Sequence, residues 1–326
     1  MKKQRVLIID GDLVAYRSAA AIEKRTIIAK HLASGRTKDF NTRTELKELL
    51  KSKGMEYNKD DYEITDIQTP EDISHALYII KNLVKSLEET SSADRTEIFI
   101  GSGETFRHRL PLPSPYKDNR KGTRPVHLQA ARDYLMQNYT CSYVKDIETD
   151  DAITIRAYEE KEKGNTPILA SLDKDAQGTQ GIIVLNWMKD SEFEGMKEIP
   201  LVGSLWKDKT DIKGNGLMFL AFQVLAGDKA DTYSGYELSK VKYGPIKAFK
   251  ALEGAQTEKD ILTVVVNEFK LLYPEPFNYT DCHGVKHEEA NWFDMLNLFW
   301  ACAYMKRSWE DTSSFVQFAA ERGVDV

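Results

Sequence analysis

The sequence has little of what marks the most easily recognised protein classes. It lacks a long apolar run: Val6–Ile9 ends at Asp10, too short for a signal peptide or a membrane span, so no membrane partner and a cytoplasmic location are expected. It has only three cysteines, Cys141, Cys282 and Cys302, without paired spacing, which excludes a disulfide framework or a zinc ribbon and fits a reducing compartment. Cys282-His283 with His287 lacks further ligands at zinc spacing and reads as a loop with incidental polar residues. There is no P-loop, and Gly101-x-Gly103 lacks the third glycine of a dinucleotide fingerprint, so no nucleotide cofactor is expected. Repeats and low-complexity runs are missing too. Nor is there an excess of positive charge, since 45 Lys and Arg stand against 51 Asp and Glu, a net charge of −6. Spread evenly, that balance would argue against a nucleic-acid partner, so the distribution of charge decides.

What is present begins with size. A chain of 326 residues, 41% hydrophobic, can bury a substantial core and a smaller appendage. Arg5–Ile9 reads as a buried parallel strand delivering Asp10 at its end, with a helix from about Leu13. A polar insertion at 26–67 holds a strand at Thr26–Leu32, a turn at Ser34-Gly35, a helix at Thr44–Lys53 and an extended Tyr62–Ile67, with no assignable chemistry. A helix opened by Pro70 near its first position and running to Glu89 leads to a strand at Thr96–Ile100. A helix at Val126–Asn138, strand Cys141–Val144, helix Thr149–Lys163, and strands Pro167–Leu172 and Gly181–Leu185 follow. This alternation predicts an α/β fold with a mostly parallel, twisted sheet flanked by helices.

The chain is organised around 144–175, where Glu148-Thr-Asp150-Asp151 and Asp173-Lys-Asp175 follow successive strands. Open α/β sheets hold their ligands at such strand ends. Asp173 and Asp175 share a face if extended, and Glu148 and Asp151 share one once the helix begins. Helix capping accounts for one or two of these acids but not for a second cluster. Crowded carboxylates raise each other's pKa unless a cation offsets them, and hard oxygen ligands favour Mg²⁺ or Mn²⁺.

A basic counterpart lies at 105–124, with Arg107, Arg109, Lys117, Arg120, Lys121 and Arg124 against the single acid Asp118. Phe106 and Tyr116 among those cations suit stacking on unpaired bases; the competing reading is a solvated, proline-stiffened loop. From about Gly214 the chain turns helical. Leu217–Ala226 precedes Gly227-Asp228-x-x-Asp231 and Gly235, and Gly244-Pro245 opens a helix to Leu252, so glycine turns can aim N–H groups at phosphates. Helices at Lys259–Leu271 and Asn291–Lys306 close the region; the second is apolar nearly all round and therefore core.

Taken in order, Ile9-Asp10-Gly11, Phe106-Arg107 with Tyr116-Lys117-x-x-Arg120, Glu148-x-Asp150-Asp151, Asp173-Lys-Asp175 and Gly227-Asp228-x-x-Asp231 with Gly235 resemble the motifs of structure-specific 5′ nucleases. The likeness is to the flap-endonuclease type, above all the small bacteriophage 5′ exonucleases. It implies a PIN-like nuclease domain at 1–205, with the insertion at 26–67 and an arch at about 104–140. It also implies a helical DNA-binding region at 206–326 with a helix-hairpin-helix-like segment at about 214–253, commonly binding K⁺. The implied activity is phosphodiester hydrolysis near 5′ ends of DNA, as 5′-3′ exonuclease or flap endonuclease, with the RNA of RNA–DNA hybrids as a further substrate, using two Mg²⁺ or Mn²⁺ ions.

Carried onto this chain, Asp10, Glu148, Asp150 and Asp151 would hold one ion, and Asp173, Asp175, Asp228 and Asp231 the other. Lys117 and Arg120 would stabilise charge at the scissile phosphate. Arg107, Arg109, Tyr116, Lys121, Arg124, Lys242, Gly244 and Lys247 would contact nucleic acid, with Tyr116 stacking on a terminal base. The sequence departs from the family at Phe99-Ile-Gly101-Ser-Gly103, which carries no strand-end aspartate, leaving one ion bound more weakly or through water, or Glu104 as the substitute. Asp231-Thr-Tyr-Ser-Gly235 also replaces the usual hairpin sequence. Two other readings compete: a haloacid-dehalogenase-type phosphatase built on Asp10 and Asp12, and a non-catalytic nucleic-acid-binding protein.

Overall fold

Val6, Leu7, Ile8 and Ile9 are fully buried, as a strand covered on both faces requires, and form the middle of β1 (Arg5–Asp10). A computed structural model describes residues 3–119 and 122–326. Contacts divide the chain into two units, one of residues 1–13, 85–122 and 138–326, the other of 14–84 and 123–137.

After β1 the chain enters α1 (Gly11–Ala21) at once. The second unit then folds the insertion into β2 (Glu23–His31), β3 (Thr37–Phe40), α2 (Arg43–Ser52) and β4 (Tyr62–Pro70), with antiparallel sheet order β3-β2-β4. Ile27, Ala29, Phe40, Leu46 and Leu50 form its own small core, and Thr42 caps α2 by accepting from Glu45 N. The expected helix start at Pro70 is not found. Pro70 ends β4, paired with Glu23, and α3 (Ile73–Ser91) begins three residues later. A strand end tolerates the missing N–H as readily as a first helical turn does.

The chain returns to the first unit for β5 (Arg95–Thr105), and α4 (Leu128–Asn138) precedes β6 (Cys141–Asp146), α5 (Thr149–Glu162), β7 (Thr166–Ala170), β8 (Ile183–Asn186) and β9 (Gly195–Glu198). These strands make a six-stranded sheet in the order β6-β5-β1-β7-β8-β9, parallel except for β9 at the edge. β1 sits between β5 and β7, in register Asp10 to Phe99 and Ile9 to Ala170. The strand order reverses here: β5 and β6 build outward on one side of β1, and α5 carries the chain back to β7 on the other. Such a switch point opens a crevice at the carboxyl ends of the strands. α5 packs Ala152, Ile153 and Ala157 on Val6, Ile8, Phe99 and Leu169, covering one face.

Beyond the sheet come a hairpin, β10 (Ser204–Asp208) and β11 (Asp211–Asn215), then α6 (Gly216–Ala226), α7 (Pro245–Leu252), α8 (Glu258–Leu272), a second hairpin of β12 (Phe277–Thr280) and β13 (Lys286–Ala290), α9 (Trp292–Ala303) and α10 (Phe315–Ala320). Their core runs from Leu217 to Phe318 and takes in Leu112 and Tyr116 of the basic segment. α6 is buried along its whole length, and α9 buries Met295, Leu296, Leu298, Phe299 and Trp300, so the reading of α9 as core holds. No helix among the described residues is long and apolar enough to cross a membrane.

Candidate metal centre at the strand ends

Three chain segments bring their acids to the crevice. Asp10 closes β1, and its Oδ1 accepts from Leu13 N at 3.0 Å as α1 begins. Glu148 caps α5, placing Asp150 and Asp151 in its first turn. After β7, Ser171 and Leu172 lead to Asp173, which heads a 3₁₀ turn at Lys174–Gly178; its Oδ1 accepts from Asp175 N at 3.0 Å. The extended geometry expected for Asp173 and Asp175 is therefore replaced by a turn.

Asp175 joins Asp228 and Asp231, and each of the three offers a carboxylate oxygen within 4.8 Å of the others. Gly227, at φ 78°, stops α6 and turns the chain so that Asp228 comes back beside it. Asp228 pairs with Tyr233 in a short antiparallel bridge and accepts from Ala230 N at 2.8 Å. Gln223 Nε2 donates to Asp175 Oδ1. Gln223 was not anticipated, yet it is the single polar side chain of a helix otherwise built from apolar residues and glycine, and that isolation was the available signal.

Electrostatics divides these acids. Burial pushes Asp10 up to about 7, aided by Asp12 and Asp173. Burial likewise pushes Asp175 up to about 8, aided by Asp173. Asp150 is raised well above the usual carboxylate range by burial and by Asp173, Asp10 and Glu148, and Asp231 is raised by burial and Glu148. Glu148 behaves oppositely: burial opposes its charge, but Arg107 and Lys117 outweigh it and hold it low. Crowded hard oxygen donors whose ionisation the fold resists suit Mg²⁺ or Mn²⁺, whose charge would offset the repulsion. Among the described residues, Asp175, Asp228 and Asp231 form the one trio that meets so closely; the charge of Asp173 acts on Asp10 and Asp150 without the three forming another such trio.

Several expected roles change. Asp151 is fully buried, and its two oxygens accept from Nη1 and Nη2 of Arg107, with further bonds from Glu148 N and Lys306 N. Both of its oxygens are thus engaged within the protein. Arg107 is itself buried at 2% exposure, so it cannot reach nucleic acid. It reaches Glu148 at 3.3 Å and donates to the carbonyls of Ala301, Cys302 and Tyr304, which lack helical donors at the end of α9. Tyr116, expected to stack on a base, is buried at 5% exposure, with its hydroxyl 2.8 Å from Asp231 and 3.2 Å from Glu148.

Lys117 does reach the acids. Its Nζ pairs with Glu148 and lies 3.8 Å from Asp231, while its backbone N donates to Asp231 O at 3.0 Å. Lys174 pairs with Asp228 at 2.7 Å. Arg109 is exposed, its Nη1 3.3 Å from Asp146. Gly244 precedes α7, and Lys242 and Lys247 are exposed, Lys247 Nζ donating to Lys242 O. Arg124 and Glu104 are exposed as well. Arg120 and Lys121 lie outside the described residues.

No family model and no curated protein matches the chain. Solved structures do align with it. A flap endonuclease of bacteriophage T5, in a complex with DNA and metal ions, is 12% identical, with 98% of this chain and 97% of that one covered at a TM-score of 0.45. A 5′-exonuclease of the same phage with bound zinc is 14% identical over 81% of this chain and 85% of that one, also at 0.45.

Proposed function

We propose that this protein is a divalent-metal-dependent nuclease that hydrolyses phosphodiester bonds near the 5′ ends of DNA, as an exonuclease or at flaps, with RNA of RNA–DNA hybrids as a further substrate. The observation that carries the proposal is the meeting of Asp175, Asp228 and Asp231 at the switch point of the sheet, with the Lys117 amine beside Asp231. The preference for 5′ ends rests on the ordered sequence motifs.

In this reading Asp173, Asp175, Asp228 and Asp231 hold one ion, and Asp10, Glu148 and Asp150 the other. Bound Mg²⁺ or Mn²⁺ supplies Lewis acidity toward the phosphoryl oxygens. The protein's own side chains do the rest. Gln223 fixes the direction of the Asp175 carboxylate, and the Tyr116 hydroxyl fixes Asp231. Arg107 and Lys117 keep Glu148 ionised near neutral pH. Lys117, 13% exposed between Glu148 and Asp231, sets a positive charge where an incoming phosphate meets the acids, and preorganised charge in a largely dry site stabilises the developing anion. Arg109, Arg124, Lys242, Lys247 and the N-terminus of α7 behind Gly244 serve as phosphate contacts, as do Arg120 and Lys121 of the basic segment. The helical region 206–326 grips the duplex.

A gel assay on 5′-flap, blunt-duplex and RNA–DNA hybrid substrates, labelled at either end, tests this. Products released from the 5′ side with Mg²⁺ and abolished by EDTA are expected, and Asp173→Ala with Asp175→Ala should lose them. Retained binding with no product in Mg²⁺ or Mn²⁺ would instead identify a non-catalytic DNA-binding protein.

A further inference from the structure

Asp12 lies in the first turn of α1, two residues beyond Asp10, and its Oδ2 accepts two hydrogen bonds from elements distant in sequence. Gly101 N donates from β5 at 2.8 Å, and Thr149 Oγ1 donates from the head of α5 at 2.6 Å. Thr149 stands between Glu148 and Asp150 and is itself buried. The bond from its hydroxyl is charge-assisted and directional, so it fixes the rotation and height of the first turn of α5. The strand contributes a bare position that matches this arrangement. A Cβ built on Gly101 would stand 2.7 Å from Thr149 Oγ1 and 3.4 Å from Asp12 Oδ2, so a side chain there would push Thr149 off its bond. The charge of Asp12 is also felt at Asp10, which places the junction beside the carboxylates.

We propose that Asp12 is a positioning residue for the metal centre: through one oxygen it joins Gly101 of β5 to the head of α5 and so fixes where Asp150 stands relative to Asp10. The missing strand-end carboxylate of β5 then has a structural counterpart. The strand gives up its side chain at Gly101, and a carboxylate from α1 occupies the space and organises the neighbouring acids. Both donors converge on a single oxygen, so the junction needs an acceptor at that place. An asparagine amide oxygen can accept the same two bonds; alanine can accept neither.

The test compares wild type with Asp12→Ala, Asp12→Asn, Thr149→Val and the double variant Asp12→Ala with Thr149→Val. Mn²⁺ binding is read by calorimetry, metal-free melting by thermal denaturation, and cleavage as kcat and KM separately. Asp12→Ala and Thr149→Val should each weaken Mn²⁺ binding by about 10- to 100-fold, as loss of a group that orients ligands does, and should lower kcat with KM for DNA unchanged. The double variant should be no worse than Asp12→Ala, because both remove one junction. Asp12→Asn should recover Mn²⁺ affinity to within about threefold of wild type, since it keeps the acceptor. Asp12→Asn as damaged as Asp12→Ala would overturn the proposal by showing that the charge itself is required, and wild-type Mn²⁺ affinity in Asp12→Ala would overturn it equally. If Asp12→Ala does not fold, Thr149→Val decides: unchanged Mn²⁺ affinity there sinks the idea. The kinetic arm rests on the nuclease reading and the calorimetric arm does not, so a wild type that binds Mn²⁺ without cutting DNA would end that reading and leave this one testable.

Discussion

The two sides of the crevice carry equally crowded acids and treat them in opposite ways. On the α5 side, Asp151 and Glu148 face Arg107, and Glu148 also faces Lys117, so the fold supplies permanent cations and Glu148 stays below the usual range. On the side built from the 3₁₀ turn and the end of α6, Lys174 pairs with Asp228 and Lys117 stands 3.8 Å from Asp231, but the side chain that holds Asp175 is the neutral amide of Gln223, and burial with Asp173 pushes this carboxyl up to about 8. A carboxylate bonded through both oxygens to a cation of the chain, as Asp151 is, lies on one side of a line, and one held by a neutral group, as Asp175 is, on the other; acid content alone does not show this.

The comparison breaks most severely at Arg107. Arg107→Met would leave Asp151 buried without its cation, Glu148 with Lys117 alone and three carbonyls without a donor, at a cost of about 3–5 kcal/mol. Urea denaturation should show this as a lowered midpoint, while Mn²⁺ affinity measured on the protein that remains folded should change much less than stability.

A smaller effect concerns pH. The folded pKa values of Asp10 and Asp175, about 7 and about 8, lie above the usual 3.8, so the native state holds protons that the unfolded chain has released. Their stabilising share is complete below about pH 4, declines as pH rises, and is lost once pH passes 8. Metal-free protein should therefore melt at a lower temperature at pH 9 than at pH 6, with the gain from added Mg²⁺ larger at pH 9. Asp175→Asn should flatten both trends. An unchanged pH profile in that variant would place the proton elsewhere.

The smallest effect belongs to the surface. Lys242→Ala with Lys247→Ala should leave melting and Mn²⁺ binding as in wild type. If both lysines grip phosphates, each removal should make the plot of log affinity for duplex DNA against log salt shallower by about one. An unchanged slope would remove α7 from the DNA-binding face.

Much of the sheet was legible because β1, β7 and β8 are short apolar runs. β1, α5 and the helices of the last third fall close to their expected positions for that reason. β9 and the two C-terminal hairpins were missed. Gly195–Glu198 and Lys286–Ala290 carry mostly polar residues, and such edge segments pair through backbone groups that leave little side-chain pattern. At the site, the acids were legible by type and order, but their partners were not. Arg107 reads as one more cation of a basic loop until α9, nearly two hundred residues later, brings three carbonyls to it and buries it. The same holds for Tyr116, whose aromatic ring among cations suggested a base platform and whose hydroxyl instead serves Asp231. Gln223 and the Asp12–Gly101–Thr149 junction depend on the meeting of distant segments, though the isolation of Gln223 left a trace in the sequence.

The guanidinium of Arg107 also sets a limit on how the chain can be engineered. Its bonds run from the last carbonyls of α9 to Glu148, so the end of that helix and the ionisation of a candidate ligand share one side chain. The C-terminal helices are for that reason a poor cut point for a minimal nuclease or for a domain swap. A truncation before Ala301 would strip Arg107 of the carbonyls that anchor it, and a fusion there would have to rebuild them.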